Sequence, residues 1–263
     1  MDYIKLKVSD ILEAREEVLK NEIDGVLKSY KVDSAEKRIE SNPEQFFEIT
    51  YPSNTIKNII EAINLKLKKT TSKGNYVLAG SYGSGKSHVL ILIYHLFSNP
   101  ELAQIWLNKW NLELDLPTKS QGIIISLGKK DYKYLWEPIF EKLDKVDLLK
   151  KVDKYPGTDL IEEAIGDGIV LVLLDEIETW YQSFNRDNRE EKAQVERNRF
   201  FLQNLFEVAT DKNRKLLIFL TYLDKGTDLD EIINREQPFK EDIGQSIDRH
   251  RITFHRLFKT PRK

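Results

Sequence analysis

Residues 169–174 carry the feature that most constrains the fold, because six apolar side chains follow one another without interruption. A strand that faces water on one side alternates apolar and polar residues, whereas an uninterrupted run is typical of a parallel strand buried on both faces. The run reads Ile169-Val170-Leu171-Val172-Leu173-Leu174. It predicts a parallel sheet with a layer of helices on each side.

Further strands and helices alternate along the chain. Shorter apolar runs at 76–79, 123–127 and 216–220 predict three more strands, and 252–257 is a candidate fifth strand. Segments with helical character separate them, and right-handed crossovers place such helices on both faces of a sheet. The sequence therefore predicts an α/β fold, a three-layer α-β-α sandwich around a parallel sheet.

The clearest helix precedes the first strand. Apolar residues recur there at helical spacing, at Ile56, Ile59, Ile60, Ile63 and Leu67. We expect Ser53 or Asn54 to cap its start. Its end is expected to be closed by a basic tail and a glycine, namely Lys66, Lys68, Lys69 and Gly74.

Other helix signals are less regular. Asn42-Pro43 indicates a turn. Thr158 is the expected cap of a helix that runs through Ile165. Residues 132–151 also have helical character, with Pro138 marking a break or a restart.

Composition bounds the remaining possibilities. The chain has 263 residues, and we divide it into a helical N-terminal region (1–72) and an α/β core (73–263). It contains no cysteine, which excludes disulfides, cysteine nucleophiles and thiolate metal sites. A net charge of −2 excludes a wholesale basic coat for nucleic acid. Neither a membrane-spanning run nor a signal-peptide pattern is found, so we expect no membrane partner and a cytoplasmic location.

A glycine-rich segment follows the first predicted strand and opens the next helix. It reads Gly80-Ser81-Tyr82-Gly83-Ser84-Gly85-Lys86-Ser87, the Walker A pattern G-x-x-x-x-G-K-[ST]. The glycines allow backbone N–H groups to close around phosphate oxygens, and the positive end of the helix dipole faces the same anion. Lys86 is the expected catalytic contact of the β- and γ-phosphates, and the Ser87 hydroxyl the expected ligand of Mg²⁺. The structural alternative is a glycine-rich turn with an ordinary exposed lysine.

An acidic pair, Asp175-Glu176, ends the long apolar strand and matches the Walker B pattern. Asp175 is expected to hold Mg²⁺, mostly through water, and Glu176 to orient and deprotonate an attacking water. Such a pair is typical of the NTPase branch with an extra strand between the two Walker strands, and we expect the 121–127 strand to fill that place. The alternative is that both are only polar residues at a strand end. Glu178 is expected at the surface or in a local pair.

Three more features are candidates beside the phosphates. Thr221 ends the fourth predicted strand, where such NTPases place a polar residue that reaches the γ-phosphate or the lytic water; packing of a β-branched residue is the alternative. His88 follows the loop and is either a nucleotide-site residue or a local packing group. The nearby aromatic residues either pack in the core or stack on a base, namely Phe46, Phe47 and Tyr51.

Together these segments resemble the domain-of-unknown-function family 499. The resemblance rests on Phe46 to Pro52, the glycine-rich loop through His88, the run Tyr94 to Phe97 and the opening segment Val8 to Leu12, and it covers residues 8–97 best. The family is identified as AAA+-like P-loop ATPases of bacteria and archaea, more distantly similar to the large P-loop ATPases of BREX phage-defence systems. It implies ATP and Mg²⁺ as cofactors and an ATPase encoded beside DNA methyltransferases and helicases.

The end of the sequence carries two further expectations. Arg249 and Arg251 resemble the arginines that reach a neighbouring subunit's nucleotide in AAA+ ATPases, with Arg249 the expected catalytic finger; a solvated edge strand is the alternative. Because the sequence stops just after the presumed fifth strand, the helical lid of the family is expected to be absent. The sequence is then either a fragment or a short variant that takes those parts from a partner.

Two functional hypotheses follow. The first is an ATP-hydrolysing AAA+-like module of a DNA-modification or anti-phage defence complex, with a homo-oligomer or other defence-complex subunits as partners. The second is a non-hydrolysing, nucleotide-dependent assembly module that needs a partner to complete its site. A small-molecule phosphotransferase is disfavoured by the Asp-Glu pair. The basic residues of 249–263 are a candidate DNA contact, and a solvated tail is the alternative.

Overall fold

A four-stranded parallel sheet forms the centre of the computed structural model, which describes residues 27–36, 38–80, 83–128, 132–185 and 187–223. The strands are β1 (Asn75–Gly80), β2 (Ser120–Ser126), β3 (Ile169–Asp175) and β4 (Leu216–Leu223). Their three pairings are all parallel, which confirms the sheet type predicted from the apolar run in β3. The candidate strand at 252–257 lies outside the described residues.

The order of the strands corrects one prediction. The sheet runs β1-β4-β3-β2. Strand β4 therefore lies between β1, which precedes the glycine-rich loop, and β3, which ends at Asp175 of the acidic pair. The segment 121–127, expected in that place, forms β2 at the end of the described order. Ser120 and Gln121 at its start are partly or fully exposed, as suits a strand with one neighbour, whereas Leu216 to Phe219 of β4 are fully buried.

Helices cover both faces of the sheet. They are α1 (Pro43–Ile49), α2 (Asn54–Leu67), α3 (Lys86–Ser98), α4 (Pro100–Lys109), α5 (Trp136–Lys142), α6 (Thr158–Ile165), α7 (Ile177–Gln182) and α8 (Arg189–Thr210). Short 3-10 helices occupy Ser29–Lys31, Ile39–Ser41 and Val146–Lys151. None of the described helices is both long and apolar enough to cross a membrane.

The alternation of side chains along each strand divides the core in two. Leu171 and Leu173 pack with α1 to α4 on one face. Val170 and Val172 pack with α5 to α8 on the other face. This is the expected three-layer arrangement, and it explains why β3 has no polar residue before Asp175. The described part of 27–72 belongs to the first of these cores; the division of the chain at 72/73 stays a prediction.

Two helix starts follow from capping chemistry. The prediction of a turn at Asn42-Pro43 is wrong, because these residues begin α1. The Asn42 side chain accepts the N–H of Gln45 at 3.1 Å, and Pro43 occupies the first helical position. At α2 the Ser53 hydroxyl oxygen accepts the N–H of Ile56 at 3.3 Å, as expected.

Two other helix predictions need correction. Thr158 is the first residue of α6 and does not cap it; Gly157 holds the cap position without a side-chain bond. The helical character of 132–151 resolves into α5 and the 3-10 helix Val146–Lys151. Pro138 lies inside the first turn of α5, where a missing N–H costs no intrahelical hydrogen bond.

Lys66 is not part of a solvated basic tail. Its side chain is 1% exposed, and its ammonium donates to the carbonyl oxygens of Ser72 at 3.1 Å, Ala209 at 2.7 Å and Asp211 at 2.7 Å. A cation at these carbonyls stabilises the C-terminal end of α8, where the helix dipole is negative. Burial lowers the pKa of Lys66 to about 8, against the raising effect of Asp211. The contact ties α2 to α8 across the ends of the two layers.

Gly74 does not close α2 either, because the left-handed residue after that helix is Lys69, with φ of 56°. Gly74 serves a close approach of two backbone segments. A Cβ at this position would overlap the carbonyl oxygens of Ala209 and Leu216, and neither can move without shifting α8 or β4.

We therefore expect Gly74→Ala to lower the free energy of unfolding by about 3 kcal/mol, since the new methyl group meets backbone on two sides. Urea denaturation measures this loss. Gly168→Ala is the matched control, because a Cβ there meets nothing within 4 Å. Equal stability of the two variants would contradict the close approach.

Candidate functional site

The glycine-rich loop joins the end of β1 to the start of α3. Its described part contains two glycines in left-handed backbone conformation, Gly83 with φ of 76° and Gly85 with φ of 88°, and Gly85 holds the N-cap position of α3. Other residue types adopt this conformation only with strain, so the loop requires glycine at both positions. The first N–H groups of a helix have no intrahelical acceptor, and those of α3 follow this loop directly. Ser81 and Tyr82 lie outside the described residues.

Asp175 connects the loop to the sheet. This residue is the last of β3 and is 4% exposed. Its carboxylate accepts two hydrogen bonds from hydroxyl groups, one on each oxygen. Ser87 donates to Oδ2 at 3.0 Å, and Thr221 donates to Oδ1 at 2.5 Å. The structure thus brings together three of the residues singled out in the sequence, one each from α3, β3 and β4.

Thr221 has a second bond, which extends the network to Glu176. The Thr221 hydroxyl oxygen accepts the backbone N–H of Glu176 at 2.8 Å. The side chain of Thr221 is 1% exposed, and its hydroxyl is engaged on both sides by the acidic pair. Thr221 therefore bonds both the Asp175 carboxylate and the Glu176 backbone, and its hydroxyl helps to fix the position of these two residues.

Glu176 is held in an uncommon backbone conformation. Its φ of 61° and ψ of 39° lie in the left-handed region, which costs a residue other than glycine about 1–3 kcal/mol. The carboxylate turns toward the end of β2, where Oε2 accepts the Ser126 hydroxyl at 3.5 Å. A Cβ at Gly128 would overlap this carboxylate, so the chain beyond β2 passes close to it. An exposed acid in strained backbone is typical of a functional position.

Lys86 lies beside two carboxylates. Partial burial lowers the pKa of Lys86, while the negative charges of Asp175 and Glu178 act to raise it. Its ammonium donates to the Ser84 hydroxyl at 3.4 Å. Glu178, expected at the surface or in a local pair, is 3% exposed and belongs to the electrostatic surroundings of this lysine.

His88 turns away from the loop toward the N-terminal helices. Its Nε2 lies 2.9 Å from the Thr50 hydroxyl, and its ring packs on Phe46 with centroids 4.8 Å apart. Burial lowers the pKa of His88 to about 4, so the imidazole is neutral near pH 7. The side chain makes the local packing contacts that were the alternative in the sequence.

Three residues that contact the site were not predicted from the sequence to do so. They are Ser126, Thr50 and Glu178, and their part in the site is identified only by their spatial neighbours. A signal exists for Ser126 alone, since it is the polar residue that ends the apolar run of β2. Arg249 and Arg251 lie outside the described residues, as does the basic segment 249–263.

The described residues offer a limited set of metal ligands. No group of three or more His, Cys, Asp or Glu that could hold a metal ion occurs among them. The hydroxyl of Ser87 and the carboxylate of Asp175 are adjacent, and both are hard oxygen ligands of the kind that Mg²⁺ prefers. Such a pair suits an ion that completes its shell with phosphate oxygens and water.

Comparison with known proteins assigns the family. The model of the DUF499 N-terminal domain matches residues 4–107 and 118–252, and the chain belongs to this family. No curated protein matches it significantly. Among the solved structures that match is the structure of C. elegans PCH-2, at 15% sequence identity and a TM-score of 0.27. That match covers 76% of this chain, and the chain spans 38% of the length of PCH-2.

The Thr221 hydroxyl is expected to stabilise the site. Thr221→Val keeps the shape but leaves the Glu176 N–H without its acceptor and removes one donor from buried Asp175, so unfolding should become easier by about 1–3 kcal/mol. Urea denaturation gives this value. Thr221→Ser keeps the hydroxyl and should lose less; a valine variant as stable as the wild type would show that the hydroxyl bonds contribute nothing and that packing alone matters.

The neutral state of His88 predicts acid sensitivity. The pKa of His88 is about 4 in the folded chain and 6.5 in the unfolded one. As the pH falls below 6.5, the unfolded state therefore binds a proton at His88 while the folded state stays neutral there. Between pH 7 and pH 5 this lowers stability by about 2 kcal/mol.

Urea denaturation at both pH values, for the wild type and His88→Gln, isolates this contribution. The variant should lose less stability on acidification. Part of the pH dependence should remain, because burial also lowers the pKa of His95. An unchanged difference between pH 7 and pH 5 would contradict the role of His88.

Proposed function

We propose that the chain is an ATP-binding and ATP-hydrolysing module, built as a P-loop NTPase of the AAA+-like kind. The observation that carries this proposal is the hydrogen bond between Ser87 and Asp175, which joins two segments 88 residues apart in sequence. It brings the last residue of a Walker A pattern against the acidic end of a buried strand, where a Walker B carboxylate must lie. A glycine-rich turn with an ordinary lysine needs no such partner.

The residues of the loop would hold the polyphosphate. Gly80 to Ser87 supply backbone N–H groups, and Lys86 supplies a positive charge to the β- and γ-phosphates. Ser87 and Asp175 would hold Mg²⁺, which neutralises charge that develops on the phosphates when it is bound. Partial burial lowers the pKa of Lys86, and the negative charges of Asp175 and Glu178 oppose that effect.

Glu176 is the proposed general base. It follows directly after Asp175, the proposed metal ligand, beyond the carboxyl end of β3. Its exposed side chain would take a proton from a water that attacks the γ-phosphate. Its bond to Ser126 and the bond of its N–H to Thr221 fix where it points. Since the Thr221 hydroxyl is taken up by the acidic pair, we assign Thr221 as a positioning residue.

For the biological setting we propose a cytoplasmic DNA-modification or anti-phage defence complex, which rests on the resemblance of this family to defence ATPases. Assembly with further copies or with other subunits would allow Arg249 to complete a neighbouring site. The basic segment 249–263 is the proposed contact for DNA.

The proposal is tested by Mg·ATP binding and steady-state hydrolysis, measured across a series of protein concentrations. We expect Lys86→Ala to weaken binding by about tenfold or more, and Glu176→Gln to bind ATP while its turnover falls by about 100-fold or more. Lys57→Ala and Glu61→Gln on the exposed side of α2 remove the same charges away from the site and should behave as wild type.

Each outcome has a distinct meaning. Turnover that rises with protein concentration would support assembly and an arginine supplied by a second copy. Binding that depends on Lys86 without any turnover would favour the non-hydrolysing assembly module. Binding that is the same in Lys86→Ala as in the wild type would contradict the nucleotide site itself.

A further inference from the structure

The three aromatic residues that precede α2 have different environments. Phe46 and Phe47 belong to the core between the N-terminal helices and the sheet. Tyr51 is 67% exposed, although it lies only four residues further on. Core packing therefore accounts for the two phenylalanines and leaves the tyrosine without an explanation.

The position of Tyr51 is fixed by its neighbour Thr50. The Thr50 hydroxyl lies 2.9 Å from Nε2 of His88, which follows Ser87 in the first turn of α3. The Thr50 carbonyl accepts the indole N–H of Trp106 from α4 at 3.1 Å. These two bonds attach the Thr50–Tyr51 backbone beside the start of α3, next to the glycine-rich loop.

The ring of Tyr51 is also braced. It meets the ring of Trp110 nearly at right angles, with centroids 5.0 Å apart and an interplanar angle of 84°. Pro52 follows it, and Ser53 begins α2 by capping, so the backbone on both sides has little freedom. A large aromatic surface that is held in place yet exposed loses little entropy when a flat ligand covers it.

In the proposed nucleotide site the β- and γ-phosphates lie at Lys86, and the α-phosphate lies toward the first turn of α3. In such a site the ribose and base would extend from the α-phosphate, past the residues that follow Ser87. His88 lies in that turn, and its Nε2 is 2.9 Å from the hydroxyl of Thr50, the residue before Tyr51. We propose that Tyr51 is the residue on which the base of the bound nucleotide stacks. This inference rests on the proposed function and names a residue for base binding.

Stacking on a tyrosine recognises any flat base, because every base has a π-face. The contact therefore supplies affinity for nucleosides over inorganic phosphates and gives little choice between adenine and guanine. Inorganic tripolyphosphate keeps the three phosphates and lacks the base, which makes it the probe that separates the two parts of the site.

The experiment measures the dissociation constants of Mg·ATP and of Mg·tripolyphosphate for the full chain by calorimetry. Tyr51→Ala should weaken ATP binding by about tenfold and leave tripolyphosphate binding within about twofold, as expected for the loss of one stacked base. Tyr51→Phe keeps the ring and should bind ATP nearly as the wild type does. Ile105→Ala removes an equally exposed apolar side chain (67%) from α4 and should change neither constant.

Three results would overturn the inference. ATP binding by Tyr51→Ala that equals the wild type would remove the stacking role. An equal loss of ATP and tripolyphosphate in that variant would show damage to the phosphate loop. A wild type that binds both probes equally well would show that the base adds nothing. Failure of the proposed function looks different, because then Lys86→Ala leaves both constants of the wild type unchanged, and the inference falls with it.

Discussion

The carboxylate of Asp175 is the point on which the arrangement of the site depends. A buried carboxylate needs a hydrogen-bond donor for each oxygen, and here the two donors come from different elements. Ser87 anchors the first turn of α3 to one oxygen, and Thr221 anchors the end of β4 to the other. Since Asp175 itself ends β3, this one group fixes the relative position of two strands and of the helix that follows the glycine-rich loop.

The place of β4 between β1 and β3 makes this arrangement possible. Thr221 reaches Asp175 and Glu176 because its strand pairs with β3 along its length. The sequence could predict that β3 and β4 are buried strands, since both runs are apolar, but it did not determine their order. Local patterns report which faces of a strand are covered and say little about which strand pairs with it. The polar start of β2 was a readable sign of a strand with one neighbour, and the expectation for 121–127 overlooked it.

Prediction from sequence is most direct where the chemistry is contiguous in the chain. The glycines with positive φ, Lys86 and Ser87 all lie within one short loop. It failed where a side chain reaches a distant partner: Lys66 looked like a solvated helix end, yet its ammonium bonds two carbonyls more than 140 residues away. Glu178, expected at the surface or in a local pair, is buried beside Lys86. No pattern within a window of a few turns records such partners, because they are set by how the layers pack.

The first turn of α3 is held from two sides by consecutive residues. Ser87 binds Asp175 on the sheet side, and His88 binds Thr50 on the side of the N-terminal helices. A helix turns by about 100° per residue, so neighbouring positions can face different layers without distortion. The segment before β1 therefore does more than fill one side of the core, because it fixes the helix turn from which the site is built. A change in the packing of Phe46 or Thr50 would reach this turn through His88, just as a change at Thr221 would reach it through Asp175.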